Sequence, residues 1–258
     1  MTLTSAYLLV SHGSRDPRPQ IALERLSYLV EEQLQLHINP KNNSDKSNSC
    51  TVLSPVTMVQ TASLELSEVP LWEKIEQFAN KLTKVGINNL KVVPLFLLPG
   101  VHVREDIPRE IAVAQEKIGP RISIELYPYL GSYEALIKII SHQFSTHPQD
   151  AKIIVAHGSR RQGGNRSVEA SATRLNAQVA YWSIQPSLSE QVNALIKQGQ
   201  QNITIAPYFL FTGGITNMIA QQVQQLQDNS PHTKLNLGQP LGATPEMAKL
   251  IVDEWMNS

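Results

Sequence analysis

Short apolar runs alternate with longer stretches of helical period along the chain. Tyr7 to Ser11 has the character of a buried strand, and Pro19 to Leu36 then spaces its apolar residues at helical intervals. Lys91 to Leu97 and Asp106 to Ile118 repeat the same pair of patterns. A strand followed by an amphipathic helix, more than once, predicts βαβ units and a parallel sheet, an α/β fold.

The order then recurs. Leu8-Leu9-Val10-Ser11-His12-Gly13-Ser14-Arg15 returns as Ile153-Ile154-Val155-Ala156-His157-Gly158-Ser159-Arg160, an offset of about 145 residues that marks an internal duplication. Pro94-Leu95-Phe96-Leu97 returns as Pro207-Tyr208-Phe209-Leu210, and Leu130-Gly131 as Leu241-Gly242, each of the latter opening a helix. The offset shortens along the chain because the first half carries extra residues between its first helix and its second strand. Residues 39–50 are polar and nearly free of apolar side chains, so they read as a flexible surface insertion. The boundary falls near His147-Pro148-Gln149-Asp150, giving an N-terminal lobe over 1–147 and a C-terminal lobe over 148–258. Residues just past the carboxyl ends of parallel strands meet ligands. His12, His157, the segment 100–102 and the segment 213–216 all lie there, so two facing lobes make a cleft.

Composition narrows the partners. In 258 residues, 22 Lys and Arg balance 22 Asp and Glu, so no global field favours nucleic acid or an anionic membrane, and an anionic ligand needs local clusters. Cys50 is the only cysteine, which excludes an intrachain disulfide, a CxxC pair and a cysteine-ligated metal within one chain. Nowhere do about 18 apolar residues run uninterrupted, and no basic region precedes Ala6 to Val10. A cytoplasmic enzyme without membrane contact is expected.

Three segments carry a family likeness: His12-Gly13-Ser14-Arg15-Asp16-Pro17; Ser63-Leu64-Glu65-Leu66-Ser67-Glu68; and Pro94 to Pro108, in which Gly100-Val101-His102 leads into Asp106-Ile107-Pro108. With them the chain resembles the class II chelatases of siroheme and cobalamin synthesis, in the long form with two fused half-domains. The resemblance covers nearly the whole chain. It implies two Rossmann-like lobes, each a parallel four-stranded sheet flanked by helices. It further implies sirohydrochlorin as the tetrapyrrole substrate, Fe²⁺ or Co²⁺ as the metal substrate and no organic cofactor. His12 and His102 would be the metal ligands, with Glu65 beside them. Because fusion already supplies the cleft that half-length relatives build by dimerising, a monomer is expected.

The chemistry asks for such groups independently. Metallating a free-base tetrapyrrole requires stripping water from a divalent ion and taking two protons from pyrrole nitrogens. Neutral imidazole ligates borderline metals and accepts protons near neutrality, and a neighbouring carboxylate adds charge or orients a ring. Glu68 is close enough in sequence to Glu65 to compete for that role. Aligning the halves puts His157 opposite His12, Trp182 opposite Glu65, and Ile215 or Thr216 opposite His102, so a single active site on the first lobe is expected.

Sirohydrochlorin carries eight carboxylates, which arginine forks match. Ser14, Arg15, Arg104, His157, Arg160 and Arg161 are the expected substrate contacts, with Arg18, Arg109 and Arg166 close by in sequence. His37, His142, His147 and His232 read as surface residues, and Gly163-Gly164 matches no nucleotide-binding fingerprint. Two other functions compete. A histidine phosphatase needs arginine immediately before the histidine, where Ser11 and Ala156 stand. A two-lobed metal-binding or metallochaperone protein would use the same histidines without transforming a macrocycle.

Overall fold

β1 (Ala6–Ser11) is apolar on both faces, as a central parallel strand must be, and almost all of it is buried. Its period of two sends Tyr7 and Leu9 into one core and Ala6, Leu8 and Val10 into another. The computed structural model describes residues 6–38 and 58–256; the insertion expected at 39–50 lies outside the described residues.

The first half runs β1, α1 (Pro17–Ile38), β2 (Met58–Ser63), α2 (Leu71–Lys84), β3 (Asn89–Pro94), α3 (Ile107–Ile118), β4 (Ser123–Leu126) and α4 (Leu136–Ser145). The second repeats it as β5 (Ala151–Ala156), α5 (Arg166–Leu175), β6 (Gln178–Tyr181), α6 (Leu188–Lys197), β7 (Asn202–Tyr208), α7 (Gly214–Asp228), β8 (Lys234–Leu237) and α8 (Pro245–Met256). Each half forms a four-stranded, wholly parallel sheet, in the orders β2-β1-β3-β4 and β6-β5-β7-β8. In both sheets the order reverses at the first strand. A crevice therefore opens beyond the carboxyl ends of β1 and β3, and likewise beyond β5 and β7.

The expected α/β duplication is what the chain adopts, with two local differences. β3 ends at Pro94, three residues before the apolar run does: the Leu95 amide still donates to the Val10 carbonyl at 2.8 Å, and Leu97 and Leu98 then line the crevice rather than extend the sheet. Leu130-Gly131 opens only a three-residue 3-10 turn, Leu130–Ser132, with α4 following from Leu136, and Leu241-Gly242 precedes α8, which begins at Pro245. Gly131 instead lets the backbones touch. Its amide donates to the Phe96 carbonyl at 2.9 Å, and a Cβ there would collide with the Leu97 carbonyl oxygen.

The two halves share one core. Inner-face residues of β1 and β3 join those of β5 and β7 in a single apolar cluster with α1, α4, α5 and α8. Within it the last helices are exchanged. α8 follows β8 but packs against α1, and its Trp255 stacks on Tyr7 of β1 at 4.4 Å and 7°. α4 follows β4 but packs against β7, and the Lys152 ammonium of β5 lies 5.8 Å from the centre of its Phe144 ring. His37 and His142 are exposed, as expected of surface residues, yet lie 3.7 Å and 3.0 Å from Asp253 and Glu246 of α8.

Candidate active site

His12 is the first residue past β1, and backbone pairing continues beyond the strand to set its neighbour. The Leu64 amide donates to the Ser11 carbonyl and the Glu65 amide to the His12 carbonyl, both at 2.9 Å. Gly13 takes φ +97°, and a Cβ on it would run into the Glu65 carbonyl oxygen, so only glycine admits this approach. Leu66, next in line, holds φ 55°, a strained value for a residue with a side chain.

The other imidazole comes from the crevice side of β3. His102 opens a π-helical turn, His102–Asp106, that runs straight into α3, where Pro108 sits in the first turn without needing an amide partner. Four residues on, Asp106 turns back to His102, and its carboxylate lies 2.8 Å from Nδ1. The Asp106 carboxylate also accepts from Arg109 at 2.8 Å. In the neutral tautomer with the proton on Nδ1, this pair leaves the Nε2 lone pair of His102 free to ligate. His12 follows the same logic more weakly, its Nδ1 lying 3.3 Å from the Gly13 carbonyl.

His12, Glu65 and His102 each offer one ligand atom, and those atoms lie within 4.8 Å of one another. The two rings stand perpendicular, 4.8 Å between centroids, with Phe96 about equally distant from both, at 6.3 and 6.0 Å. His12 Nε2 is 3.8 Å from one Glu65 oxygen and His102 Nδ1 is 4.0 Å from the other. It is Glu65, not Glu68, that meets the imidazoles. Half of the His12 and Glu65 side-chain surface is open to solvent, against 24% for His102. Two imidazoles and a carboxylate facing an open side suit a borderline divalent ion whose remaining positions accept another ligand.

That open side gives onto a cleft of about 730 Å³ between the lobes. His12, His102 and Ser14 line it from the first half, His157 and Ser159 from the second, and Leu98, Phe211 and Met218 are among its apolar walls.

The second half lacks the partners. His157 again points Nδ1 at the next carbonyl, Gly158, at 3.0 Å. The Ser183 amide donates to the His157 carbonyl just as Glu65 does to His12, so Ser183, not Trp182, is the counterpart of Glu65. Trp182 matches Leu64, and aligning apolar strands by composition slips easily by one residue, whereas the backbone ladder does not. Pairing of Pro94 with Val10 and of Pro207 with Val155 makes Ile215 the counterpart of His102. Thr216 instead caps α7, its hydroxyl accepting from the Gly213 amide at 2.8 Å. Among the described residues, only His12, Glu65 and His102 form a cluster of three metal-ligating side chains.

The arginines divide by partner. Arg161 donates to Glu105 at 2.7 Å across the lobes, and Arg18 holds Asp16 while reaching Asn217 of α7 at 3.2 Å. Arg15 and Arg160 are exposed and lie outside the cleft lining, and Arg104 lines an adjoining cavity with Tyr129 and Arg166. Sequence reasoning missed Asp106, although its four-residue spacing from His102 in a helical stretch was the available signal. It also passed over Phe96 and Tyr129.

Two parallel α/β lobes with exchanged helices and, among the described residues, a single His-Glu-His cluster at the strand switch of one of them define a duplicated α/β protein with one candidate metal site. Residues 6–147 and 151–257 each match the CbiX family, and the chain belongs to it. It is similar to the sirohydrochlorin ferrochelatase of Bacillus subtilis (strain 168), 26% identical over 246 residues that cover 91% of this chain and 85% of that protein. It is also similar to the sirohydrochlorin cobaltochelatase of Priestia megaterium, 25% identical over 260 residues, 95% of this chain and 76% of that one. The solved sirohydrochlorin chelatase SirB of Bacillus subtilis subspecies spizizenii, in complex with cobalt, superposes with a TM-score of 0.69 at 25% identity, covering 97% of this chain and 93% of that one.

Proposed function

We propose that this protein is a sirohydrochlorin chelatase, inserting Fe²⁺ or Co²⁺ into the macrocycle for siroheme or cobalamin synthesis. The observation that carries the reading is the His12-Glu65-His102 cluster, open to an interlobe cleft, in a chain of the CbiX family. The metal and the ring are both substrates, and the reaction needs no organic cofactor. The lobe 1–147 carries the chemistry and the lobe 148–258 the opposite wall, in a cytoplasmic monomer.

The ion is taken by His12 Nε2, His102 Nε2 and a Glu65 oxygen, leaving its outer positions toward the cleft. The apolar walls accept the faces of the ring and displace water, so a pyrrole nitrogen replaces water on the ion at low cost. Insertion releases two protons from the pyrrole nitrogens. As the ion passes to the ring, the freed imidazole nitrogens and the Glu65 carboxylate are the bases within reach, and the open rim returns those protons to solvent. Ser14 and His157 line the cleft beside the ring, while Arg104 in the adjoining cavity, the exposed Arg15 and Arg160, and Arg161 once it leaves Glu105 are cations for carboxylate arms that extend beyond the cleft.

The test is an absorption time course of sirohydrochlorin with purified protein and each ion. A metal-dependent spectral change above the uncatalysed rate is expected. Ion binding without rate enhancement would make the protein a carrier, and phosphate release from phosphoesters would make it a phosphatase.

A further inference from the structure

Behind the π-helical turn that carries His102 lies a second cavity, of about 540 Å³, again between the lobes. Arg104 and Tyr129 line it from the first half, and Gln162, Gly163, Arg166 and Ser167 from the second. Its charge is uncompensated. Arg18, Arg109, Arg161 and Arg174 each hold a carboxylate, whereas Arg104 and Arg166 have none among the described residues, and no acidic side chain lines the cavity.

The remaining groups are donors too. Tyr129 sits beside Arg104, and burial pushes its phenol above the ordinary value, so it keeps its proton at neutral pH. The buried Ser167 hydroxyl lies against the Tyr208 phenol. The Arg166 guanidinium packs against Gly163, and Arg166 is the first residue of the ten-residue α5. Two cationic forks and a phenol, with no carboxylate lining the cavity, are complementary to an oxyanion.

We propose that this cavity is an oxyanion receptor bridging the lobes through Arg104 and Arg166, and that a carboxylate arm of the tetrapyrrole fills it. The second clause rests on the chelatase reading; the first does not. A free phosphate or small carboxylate presents the same chemistry, and the experiment separates the two sources. Because Arg104 and His102 share one helical turn, an arm held here also fixes the ring's position relative to the metal cluster.

The test uses the full chain and its Arg104→Gln, Arg166→Gln and Arg166→Lys variants at fixed ionic strength. Inorganic phosphate is titrated by calorimetry, and sirohydrochlorin KM and kcat are measured with Co²⁺. Each Gln variant is expected to weaken phosphate binding about tenfold, with Lys intermediate because it keeps charge and loses the fork. If an arm is the occupant, KM rises about as much while kcat and Co²⁺ affinity hold, and phosphate competes with the macrocycle. Weakened phosphate binding with an unchanged KM assigns the receptor to a free oxyanion. Phosphate binding and KM both indifferent to all three substitutions overturn the proposal. Should the wild-type chain insert no metal, the chelatase reading falls, and the phosphate titration still decides the cavity.

Discussion

Replacing Asp106 by alanine is expected to weaken metal binding without touching any ligand atom. The carboxylate lies 2.8 Å from His102 Nδ1 and fixes both the tautomer and the ring plane. A hydrogen bond to a charged group is worth roughly 1.5–3 kcal/mol, and partial exposure of the pair, 24% and 22%, places this one near the lower end. About 1.5–2 kcal/mol corresponds to a ten- to thirtyfold rise in the Co²⁺ dissociation constant, within the range usual for partners of metal-binding histidines. Asp106→Asn keeps a carbonyl that accepts from Nδ1 and loses only the charge, so its effect is the smaller. Co²⁺ titration followed by absorption or calorimetry reads both variants, with thermal melting as a control for fold. An unchanged Co²⁺ affinity in Asp106→Ala, or an Asn variant worse than the Ala variant, would refute the idea that this carboxylate orients the ring.

His102→Ala is expected to abolish insertion, whereas His157→Ala, which removes an imidazole without ligating partners, leaves a measurable rate; the reverse pattern in the sirohydrochlorin time course places the chemistry in the wrong lobe. Trp255→Ala removes a side chain only 4% exposed and its stack on Tyr7, so a loss of about 3–5 kcal/mol in urea unfolding is expected, with both halves unfolding earlier. Hydrogen bonds from Arg18 hold the Asp16 carboxyl down to about 2, below its reference value of about 3.9. The stabilisation is therefore complete above the reference value and lost as pH falls through about 2. Asp16→Asn should trail the wild type in melting temperature at neutral pH and converge with it at the acid end.

How much of this was written in the chain depends on the range of the interaction. The parallel sheets were legible because strand and helix periods are local, and the repeat of His-Gly-Ser-Arg made the duplication visible. His12 and His102 could be picked out because strand ends in such sheets face a crevice. The helix exchange was not legible, since an amphipathic pattern in α4 or α8 reports that one face is buried and says nothing of which sheet covers it. The match of Glu65 to Ser183 needed the backbone ladder, because Leu64 and Trp182 are both apolar and mark no register. Sorting the arginines needed distances: Arg161 and Arg166 read alike in the chain, yet one is neutralised by Glu105 and the other is not.

The crossing of α4 and α8 bears on how such a chain is divided. A polypeptide cut between residues 147 and 151 would keep both sheets yet strip each of a covering helix, leaving Tyr7 bare on one side and the inner face of β7 on the other. Neither fragment is self-sufficient, and reassociation of the severed pieces restores the missing lids reciprocally. A lone half has the same remedy in its own twin, each copy lending its last helix to the other, so that pairing and folding become a single event.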